Sequence, residues 1–361
     1  MDFTLDEDLL AVRELARTIF TDRATTERVR AIEATSSHVD EDLWRALAQA
    51  DLLGLALSEK DGGADLGLAG LAVLLEEQGR NVAPVPLWPH GVATWAVARY
   101  AEPGALAREA AEGEVRLTVA LEEYGRSPWE PGCVATCADG IWRLTGTKAA
   151  VPSPAGAAYV VVSATGPDGP AMFLVPAEGV SWRESETTAH EFAGDLSLSG
   201  AVARPLGPAA FGAVLRAAAV AIAAVQLGVA DGALRLAASY TSAREQFGRP
   251  LAAFQSLRHQ LADCLIDLDA MRVTLWQAIQ AVDTDDAEAE RAVQVASWWR
   301  AQGGLDVVYR VQHVHGGIGV DVDYPVHRYF LWGRQLAGTL GGPAAVLSHL
   351  GDVLAAGEVN G

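Results

Sequence analysis

Residues 239–255 read SYTSAREQFGRPLAAFQ. This stretch closes one helix-forming segment and opens another, because Gly248 permits a turn and Pro250 cannot continue a helix. Arg244 supplies a fixed cation whose planar set of donors suits a phosphate or pyrophosphate. Phe247 adds apolar area beside it. From the residues alone, a helix-loop-helix corner with a surface arginine also explains the stretch.

The segments around this stretch predict four long helices. The segment before it is so rich in Ala, Val, Leu and Ile that its helix must be buried on several sides. The four predicted helices span residues 211–238, 255–282, 287–314 and 343–356. Helices of this length predict a bundle. Their excess of apolar residues predicts further burial against other subunits.

The periodicity of the chain changes once before residue 207, at Val115. Apolar residues recur at helical spacing through the first 114 residues, with Thr4 as the predicted N-cap of the first helix. From Val115 the chain carries short β-branched or aromatic runs separated by Gly and Pro, such as 158–164 and 171–176. The predicted fold class is therefore α+β and multi-domain. Its three parts are an N-terminal helical domain (1–114), a middle small β-barrel or sandwich (115–206) and a C-terminal four-helix bundle (207–361).

Charge and composition exclude several classes of function. The chain has 361 residues, half of them apolar, and a formal net charge of −19. Nucleic acids are disfavoured as ligands because their phosphates need Lys and Arg. An anionic membrane surface is disfavoured for the same reason. No charged-then-apolar signal segment opens the chain, so a cytoplasmic protein is expected.

Cysteine and histidine usage predicts no metal site. Cys133, Cys137 and Cys264 are too few for a disulfide framework and lack further ligands nearby, so we interpret them as ordinary thiols. His313 and His315 lie two residues apart, but the sequence offers no third ligand beside them.

A second stretch carries the resemblance to a known family. Residues 312–319 read QHVHGGIG, and residues 324–328 read YPVHR. In order and separation, the two stretches resemble the C-terminal signatures of the acyl-CoA dehydrogenase family. The likeness covers nearly the whole chain and is weakest over residues 122–158. It implies an FAD-dependent enzyme of acyl-CoA thioesters. In that family the Arg and a Gln-x-x-Gly-Gly element reach across a subunit interface to the pyrophosphate and adenosine end of a neighbour's FAD. The implied cofactor-binding residues are Arg244, Gln246, Phe247, Gln255, Gln312, Gly316 and Gly317.

The catalytic base of the family is missing from this sequence. The family reaction removes two hydrogens beside a thioester: a Glu takes the α-proton and the flavin accepts the β-hydride. Such a Glu must be ionised, poorly solvated and close to the α-carbon. The resemblance implies two positions for it, which fall at Leu340, just before Gly341, and near Ala218. Neither position carries a carboxylate, so the catalytic residue is left unassigned.

The residues that face the flavin ring in the family are also altered. A Thr-Glu-Pro and Gly-Ser pattern is replaced here by ALEEYGRSP at residues 120–128. After Lys148, an aromatic residue followed by an Ile-Thr-Asn-like run is replaced by residues 149–154, AAVPSP. Ala150 offers no ring to stack, and Pro152 has neither a hydroxyl nor an N–H donor. The chain therefore keeps the residues that serve a neighbour's flavin and changes those that would hold its own.

This division predicts a non-catalytic subunit of a heteromeric acyl-CoA dehydrogenase. The resemblance is strongest to the smaller partners of α2β2 heterotetramers in actinobacteria, which oxidise the CoA thioesters of steroid side chains during cholesterol degradation. The expected partners are a homologous catalytic subunit and an acyl-CoA substrate such as a steroid-CoA; the expected cofactor is FAD.

Two other hypotheses stay open at the level of sequence. A self-sufficient homomeric enzyme would need a displaced base, for which Glu122, Glu123 and Glu245 are candidates. We interpret the first two as solvated loop charges and the third as a surface or ion-paired group. A flavin-free binding or structural protein is the third hypothesis. The segment around Arg300 is expected to pack helices, with the arginine at the rim.

Overall fold

Six helices form the first part of the chain. The computed structural model describes residues 5–359, so Thr4 lies outside the described residues, and Asp6 caps the first helix by accepting a hydrogen bond from the Leu9 amide at 2.9 Å. Carboxylates at this position satisfy amides that have no partner within the helix. The helices are α1 (Glu7–Arg23), α2 (Thr26–Glu33), α3 (Glu41–Gln49), α4 (Gly67–Arg80), α5 (Leu87–Tyr100) and α6 (Leu106–Ala111).

Seven strands follow and close into a small barrel. They are β1 (Arg116–Ala120), β2 (Val134–Ala138), β3 (Ile141–Pro152), β4 (Ala157–Gly166), β5 (Gly169–Pro176), β6 (Ser181–Glu186) and β7 (Phe192–Gly207). The ring runs β4-β2-β3-β7-β5 and returns to β4, while β1 pairs in parallel with β4, and β6 pairs with β7. Side chains such as Leu144, Val160, Phe173 and Leu196 fill the interior.

The sequence predicted this β region but missed strands β2, β6 and β7. Strand β6 has the sequence SWRESE, and all of its side chains except that of Trp182 are exposed. A polar edge strand of this kind has no apolar run that would reveal it, and exposed charges are how sheet edges avoid further pairing. The long strand β7 then alternates between buried and exposed residues across two register shifts in its pairing with β3.

The last part of the chain is helical apart from one two-stranded hairpin. Its elements are α7 (Ala209–Ala243), β8 (Glu245–Gln246), β9 (Arg249–Pro250), α8 (Gln255–Asp283), α9 (Ala289–Trp298), α10 (Gly304–His315), α11 (Val326–Gly338) and α12 (Pro343–Val359). A π-helical segment, Trp299–Gly303, joins α9 to α10, so the helix predicted over 287–314 is nearly continuous. Helix α11 was not predicted, because Arg, His and Tyr residues interrupt its apolar face. The predicted order of a helical part, a β-barrel and a helical part is confirmed.

Helix α7 is a long and strongly apolar element. By length and composition it could cross a membrane, and 89% of its most apolar window is buried inside the protein. The expectation of a buried helix is confirmed. The expectation that the apolar excess of the four helices reflects burial against other subunits stays a prediction. The exposed large apolar side chains lie elsewhere, among them Leu265, Ile266 and Val273 on α8.

The described chain divides into two compact units. One contains the residues up to Thr26, Ala72–Ala83 and the chain from Ile222 onward; the other contains Glu27–Leu71 and Pro84–Ala221. The predicted domain boundaries at 114/115 and 206/207 group the elements differently, and they stay predictions.

Close contact between α4 and α7 holds the first unit together. A Cβ atom on Gly228 would lie 2.0 Å from the carbonyl oxygen of Glu76, and one on Gly79 would lie 2.1 Å from that of Val225. Only glycine permits such an approach of two helix backbones. Beside this crossing, Arg80 forms ion pairs with Glu76 at 2.9 Å and with Asp231 at 2.5 Å.

Candidate cofactor-contact site

The end of helix α7 fixes the backbone of Arg244. Its amide donates to the carbonyl of Tyr240 at 2.8 Å, and its carbonyl accepts from the amide of Leu251 at 2.8 Å. The hydroxyl of Thr241 donates to the Ala237 carbonyl at 2.8 Å, which satisfies this buried polar side chain within the helix. The backbone of Arg244 is therefore held on both sides while its side chain is exposed.

A two-residue turn places Phe247 at the tip of the hairpin. Gln246 pairs with Arg249, and the residues between them have positive φ values, 54° at Phe247 and 76° at Gly248. A turn of this kind needs positive φ at both positions, which glycine adopts freely and a bulky residue rarely does. Phe247 is also 92% exposed. An aromatic residue that is both strained and exposed contributes little to its own fold and points to a contact outside the chain.

The charges of the hairpin are not neutralised by this chain. Among the residues that the structure describes, no carboxylate lies within ion-pair distance of Arg244 or Arg249. The guanidinium of Arg249 lies 4.2 Å from the centre of the Phe254 ring, which packs edge-on against Phe247 at 6.1 Å. The hairpin therefore presents one stacked and one unpaired cation beside two aromatic rings.

The two predicted glutamines of this region are exposed. The side-chain nitrogen of Gln246 donates to the Glu245 carbonyl at 2.8 Å. Gln255 is the first residue of α8, and its side-chain nitrogen lies 3.4 Å from Nε2 of His259. Both side chains are held only by local contacts, so both are accessible to a ligand.

The Gly-Gly loop begins where α10 ends. Gly316 has φ 63° and closes the helix, with its amide donating to the carbonyl of His313. A Cβ atom on Gly317 would meet nothing within 4 Å, and Gly317 is not among the residues with positive φ. Neither packing within the described chain nor backbone conformation therefore requires glycine at position 317.

The side chain of Gln312 points into the Gly-Gly loop that follows it. Its side-chain nitrogen donates to the carbonyl of Gly319 at 2.6 Å, and its side-chain oxygen is enclosed without a hydrogen-bond partner in the described chain. In a Gln-x-x-Gly-Gly element the Gln lies three residues before the first Gly, and counting back from Gly316 reaches His313. His313 is exposed on the last turn of α10. Sequence reasoning missed this residue, although the spacing alone identifies it.

Three aromatic rings bring the two signature stretches together. The ring of His315 stacks on that of Tyr240 with centroids 4.7 Å apart, and Tyr324 lies 5.4 Å from His315 and 6.0 Å from Tyr240. Tyr240 is on the turn that holds Arg244, and His315 directly precedes Gly316. The structure therefore places the arginine hairpin beside the Gly-Gly loop, although about 70 residues separate them in sequence.

The two positions implied for a catalytic base hold no acid. Leu340 lies in the turn between α11 and α12 with φ 56°, and Ala218 is fully buried in α7. Arg300 holds the turn at Leu340 by donating to the carbonyl of Leu336, near the end of α11, and to those of the turn residues Thr339 (2.8 Å) and Gly341 (3.3 Å). The expectation that Arg300 lies at the rim is wrong: it is 2% exposed, because the last carbonyls of α11 need donors that the helix itself cannot supply.

The displaced-base candidate Glu123 is a structural group. Its carboxylate accepts hydrogen bonds from Lys148 at 2.6 Å, from the Gly132 amide at 2.8 Å and from the Cys133 amide at 3.0 Å. Burial alone would raise the pKa of Glu123, but these donors outweigh it and lower the pKa below its usual value. The interpretation of Glu123 as a solvated loop charge is wrong, because Lys148 is fully buried and needs a counter-charge.

The edge of the barrel near Ala150 is occupied by the chain's own side chains. Tyr124 donates its hydroxyl to Asp195 at 2.8 Å, and Arg183 forms an ion pair with the same carboxylate. The amide of Ala150 points at Asp195 at 3.4 Å, and the hydroxyl of Thr118 donates to the Pro152 carbonyl at 2.5 Å. Ala150 also has a positive φ of 48°. Polar groups in this region are thus already satisfied by the chain.

Comparison with known proteins identifies the family. The sequence pattern of the acyl-CoA dehydrogenase N-terminal domain matches residues 6–129, and that of the acyl-CoA dehydrogenase C-terminal domain matches residues 207–350. A relative from Mycobacterium tuberculosis, "Acyl-CoA dehydrogenase FadE27", is 36% identical over 98% of this chain and 99% of its own length. The chain belongs to the acyl-CoA dehydrogenase family. The predicted resemblance and fold class are confirmed.

Two solved structures similar to this acyl-CoA dehydrogenase chain come from paired proteins. The "Tcur3481-Tcur3483 steroid ACAD G363A variant" is 57% identical, with a TM-score of 0.96 over 99% of this chain and 100% of that chain. The ChsE4-ChsE5 complex from Mycobacterium tuberculosis is 36% identical, with a TM-score of 0.93 over 98% and 99% of the two chains. A solved member of the family also contains reduced FAD.

Proposed function

We propose that this chain is the subunit without a catalytic base in a heteromeric, FAD-dependent acyl-CoA dehydrogenase. It completes the FAD site of a homologous partner that carries the Glu. The complex removes the α and β hydrogens of an acyl-CoA thioester in the cytoplasm. The names of the solved pairs support a homologous partner in a heterotetramer and a steroid-CoA as the substrate.

The observation that carries this proposal is a contrast between two sets of residues. Those proposed to contact a neighbour's flavin are exposed, whereas the positions of the family's catalytic base hold no acid. Phe247 and Arg244 are exposed at the hairpin: Arg244 has no carboxylate partner in the described chain, and Phe247 is 92% exposed although its ring packs edge-on against Phe254. Leu340 and Ala218 occupy the positions where the family's base belongs. A chain that lacks a base has no use of its own for a flavin site, so the exposed groups are explained by a neighbour's flavin.

The exposed residues suit the diphosphate and adenosine parts of FAD. The guanidinium of Arg244 can donate two parallel hydrogen bonds to a pyrophosphate. Gly317 removes the side chain that would keep a ligand away from the loop backbone. In this proposal Gln246, Phe247, Gln255 and Gly316 contact the same cofactor. Gln312 holds the loop from inside, and His313 presents its ring at the family's Gln position.

The barrel of this chain does not suit the reactive ring. Ala150 provides no aromatic surface, and its amide is directed at Asp195. Pro152 has no N–H, and its carbonyl already accepts from Thr118. We therefore derive no catalytic step in this chain's own barrel. FAD bound to the partner would supply the hydride acceptor. The residues of this chain would orient the distant end of that cofactor and neutralise its charge.

The two alternative functions are less well supported. A displaced base is disfavoured because Glu123 already binds Lys148 and two amides, which lowers its pKa and its basicity. Glu245 is fully exposed beside Arg244, and a solvated carboxylate is a weak base for a carbon acid. A flavin-free protein would have no reason to keep an unpaired Arg244 beside a strained Phe247.

The test is the flavin affinity of the assembled complex after Arg244→Ala. Loss of one charge-assisted contact of about 1.5–3 kcal/mol should weaken FAD binding about tenfold to a hundredfold, with an unchanged melting temperature of the isolated chain. Arg23→Ala removes an exposed arginine on α1 and is the matched control, for which we expect no change. Equal FAD affinity in the Arg244→Ala complex and the parent complex would contradict the proposal.

A further inference from the structure

The hairpin and the Gly-Gly loop depend on a small aromatic junction. Tyr240, His315 and Tyr324 come from the end of α7, the end of α10 and the segment before α11, and their ring centroids lie 4.7–6.0 Å apart. No hydrogen bond is recorded for either tyrosine hydroxyl in the described chain. The rings themselves, through stacking and packing, therefore hold these three segments together.

His315 is held in one orientation and in one charge state. Its Nδ1 lies 2.8 Å from the Val311 carbonyl, so Nδ1 carries the proton and donates it. Nε2 is enclosed and has no partner in the described chain. Burial lowers the pKa of His315, so the ring is neutral at neutral pH. The ring is thus a flat, uncharged surface whose position is set by the last turn of α10.

Two of the three rings, those of Tyr240 and His315, are directly joined to a proposed FAD contact. The carbonyl of Tyr240 accepts the amide of Arg244, so a shift of Tyr240 moves the arginine. His315 is bonded to Gly316, so a shift of its ring moves the first glycine of the loop. Contacts of this kind require placement within about half an ångström, which the supporting residues must provide.

We propose that Tyr240, His315 and Tyr324 form a positioning cluster that sets the distance between Arg244 and the Gly316–Gly317 backbone, so that both contact one FAD of the partner subunit. This inference rests on the proposed function, because the ligand that needs both contacts is the partner's FAD. The cluster itself does not touch the cofactor; it acts through the helix ends that it joins.

The experiment compares Tyr240→Leu with Tyr240→Phe in the assembled complex. Tyr240→Leu removes the stacked ring, whereas Tyr240→Phe keeps it and removes only the hydroxyl. We expect Tyr240→Leu to weaken FAD affinity about tenfold, the upper end of what an aromatic pair contributes. Tyr240→Phe should restore the parent affinity. Amide hydrogen exchange over residues 244–251 should be faster in Tyr240→Leu and unchanged in Tyr240→Phe.

The outcomes separate this inference from the proposed function. If Arg244→Ala lowers FAD affinity but both Tyr240 variants retain it, the positioning cluster is refuted and the proposed function stands. If Tyr240→Phe is as weak as Tyr240→Leu, the hydroxyl rather than the ring is responsible, and the inference is also refuted. If Arg244→Ala has no effect, the proposed function itself fails.

Discussion

The hairpin tip and the barrel edge of this chain differ in the pairing and exposure of their polar and aromatic groups. At the tip, Arg244 is unpaired within the described chain and Phe247 is 92% exposed. In the barrel, Lys148 is fully buried and binds Glu123 and Ser163, while Asp195 engages Tyr124 and Arg183. The groups at the tip are available for a contact outside the chain, whereas the polar groups of the barrel are paired within the chain.

In the proposed function, this difference would let the chain keep the fold of the enzyme family without a catalytic base of its own. Stability depends on the satisfied groups of the barrel and the helix crossings, whereas function in a complex depends on groups that the fold does not need. Substitutions in the two regions should therefore affect different measurements. Barrel variants should change the free energy of unfolding, and tip variants should change cofactor binding.

Lys148→Met should have the largest effect on stability. It leaves Glu123 buried with only two backbone donors, and removing one member of a buried ion pair typically costs about 3 kcal/mol or more. We expect the free energy of unfolding, measured by urea titration of the isolated chain, to fall by about that amount. FAD affinity of the complexes that still fold should be unchanged.

A double variant and a pH series sharpen this prediction. Lys148→Met combined with Glu123→Gln should cost less than the sum of the two single changes, because it leaves no buried charge. The pKa of Glu123 is lowered in the folded chain, so its contribution is complete above the ordinary value near 4.5 and is lost as the pH falls towards the folded value. Additive costs, or stability that rises as the pH falls through this window, would contradict a structural role for the pair.

Gly317→Ala should have an intermediate effect, confined to the cofactor. The added methyl group meets no atom of the described chain within 4 Å, so the melting temperature should not fall. In the complex the methyl group lies where the proposal places the cofactor, and we expect FAD affinity to weaken about fivefold, or ~1 kcal/mol. Gly351→Ala, at another glycine of the first unit without close neighbours, is the control. An unchanged FAD affinity for Gly317→Ala would show that the loop does not approach a ligand.

Leu340→Glu should have the smallest effect, because it supplies a carboxylate without the residues that would hold a flavin ring. Ala150 and Pro152 still offer no ring and no donor, and Arg300 still holds the turn at residues 336–341. Acyl-CoA oxidation by the variant chain, measured with an artificial electron acceptor, should stay at background. Turnover well above background would show that the chain's own barrel holds a flavin in a reactive position.

Much of the fold can be predicted from local patterns in the sequence. The apolar run of α7, the Gly-Pro turn before α8 and the β-branched runs of β4 and β5 each predict one structure. Strand β6 was missed because only one of its side chains is partly buried, and helix α11 was missed because polar and charged residues interrupt its buried face. Their positions are decided by contacts with distant segments, which local patterns do not reveal.

The site was predicted less completely than the fold. The motif proposes Arg244 and the two glycines as site residues, which stay predictions, and it gave no indication that Phe247 is strained or that Gln312 is turned inward. The roles of Glu123 and Arg300 were misread, because burial and pairing depend on residues far away in sequence. Composition indicates that a charge exists, and only the folded chain shows whether it is paired.

The most direct test of the account is the visible spectrum of this chain purified alone and after co-expression with a homologous acyl-CoA dehydrogenase chain that carries the Glu. We predict that the isolated chain is folded and colourless, and that the co-purified complex is yellow and is bleached by a suitable acyl-CoA. An isolated chain that retains FAD and is bleached by an acyl-CoA thioester would contradict the account, since it would have to contain its own flavin platform and its own base.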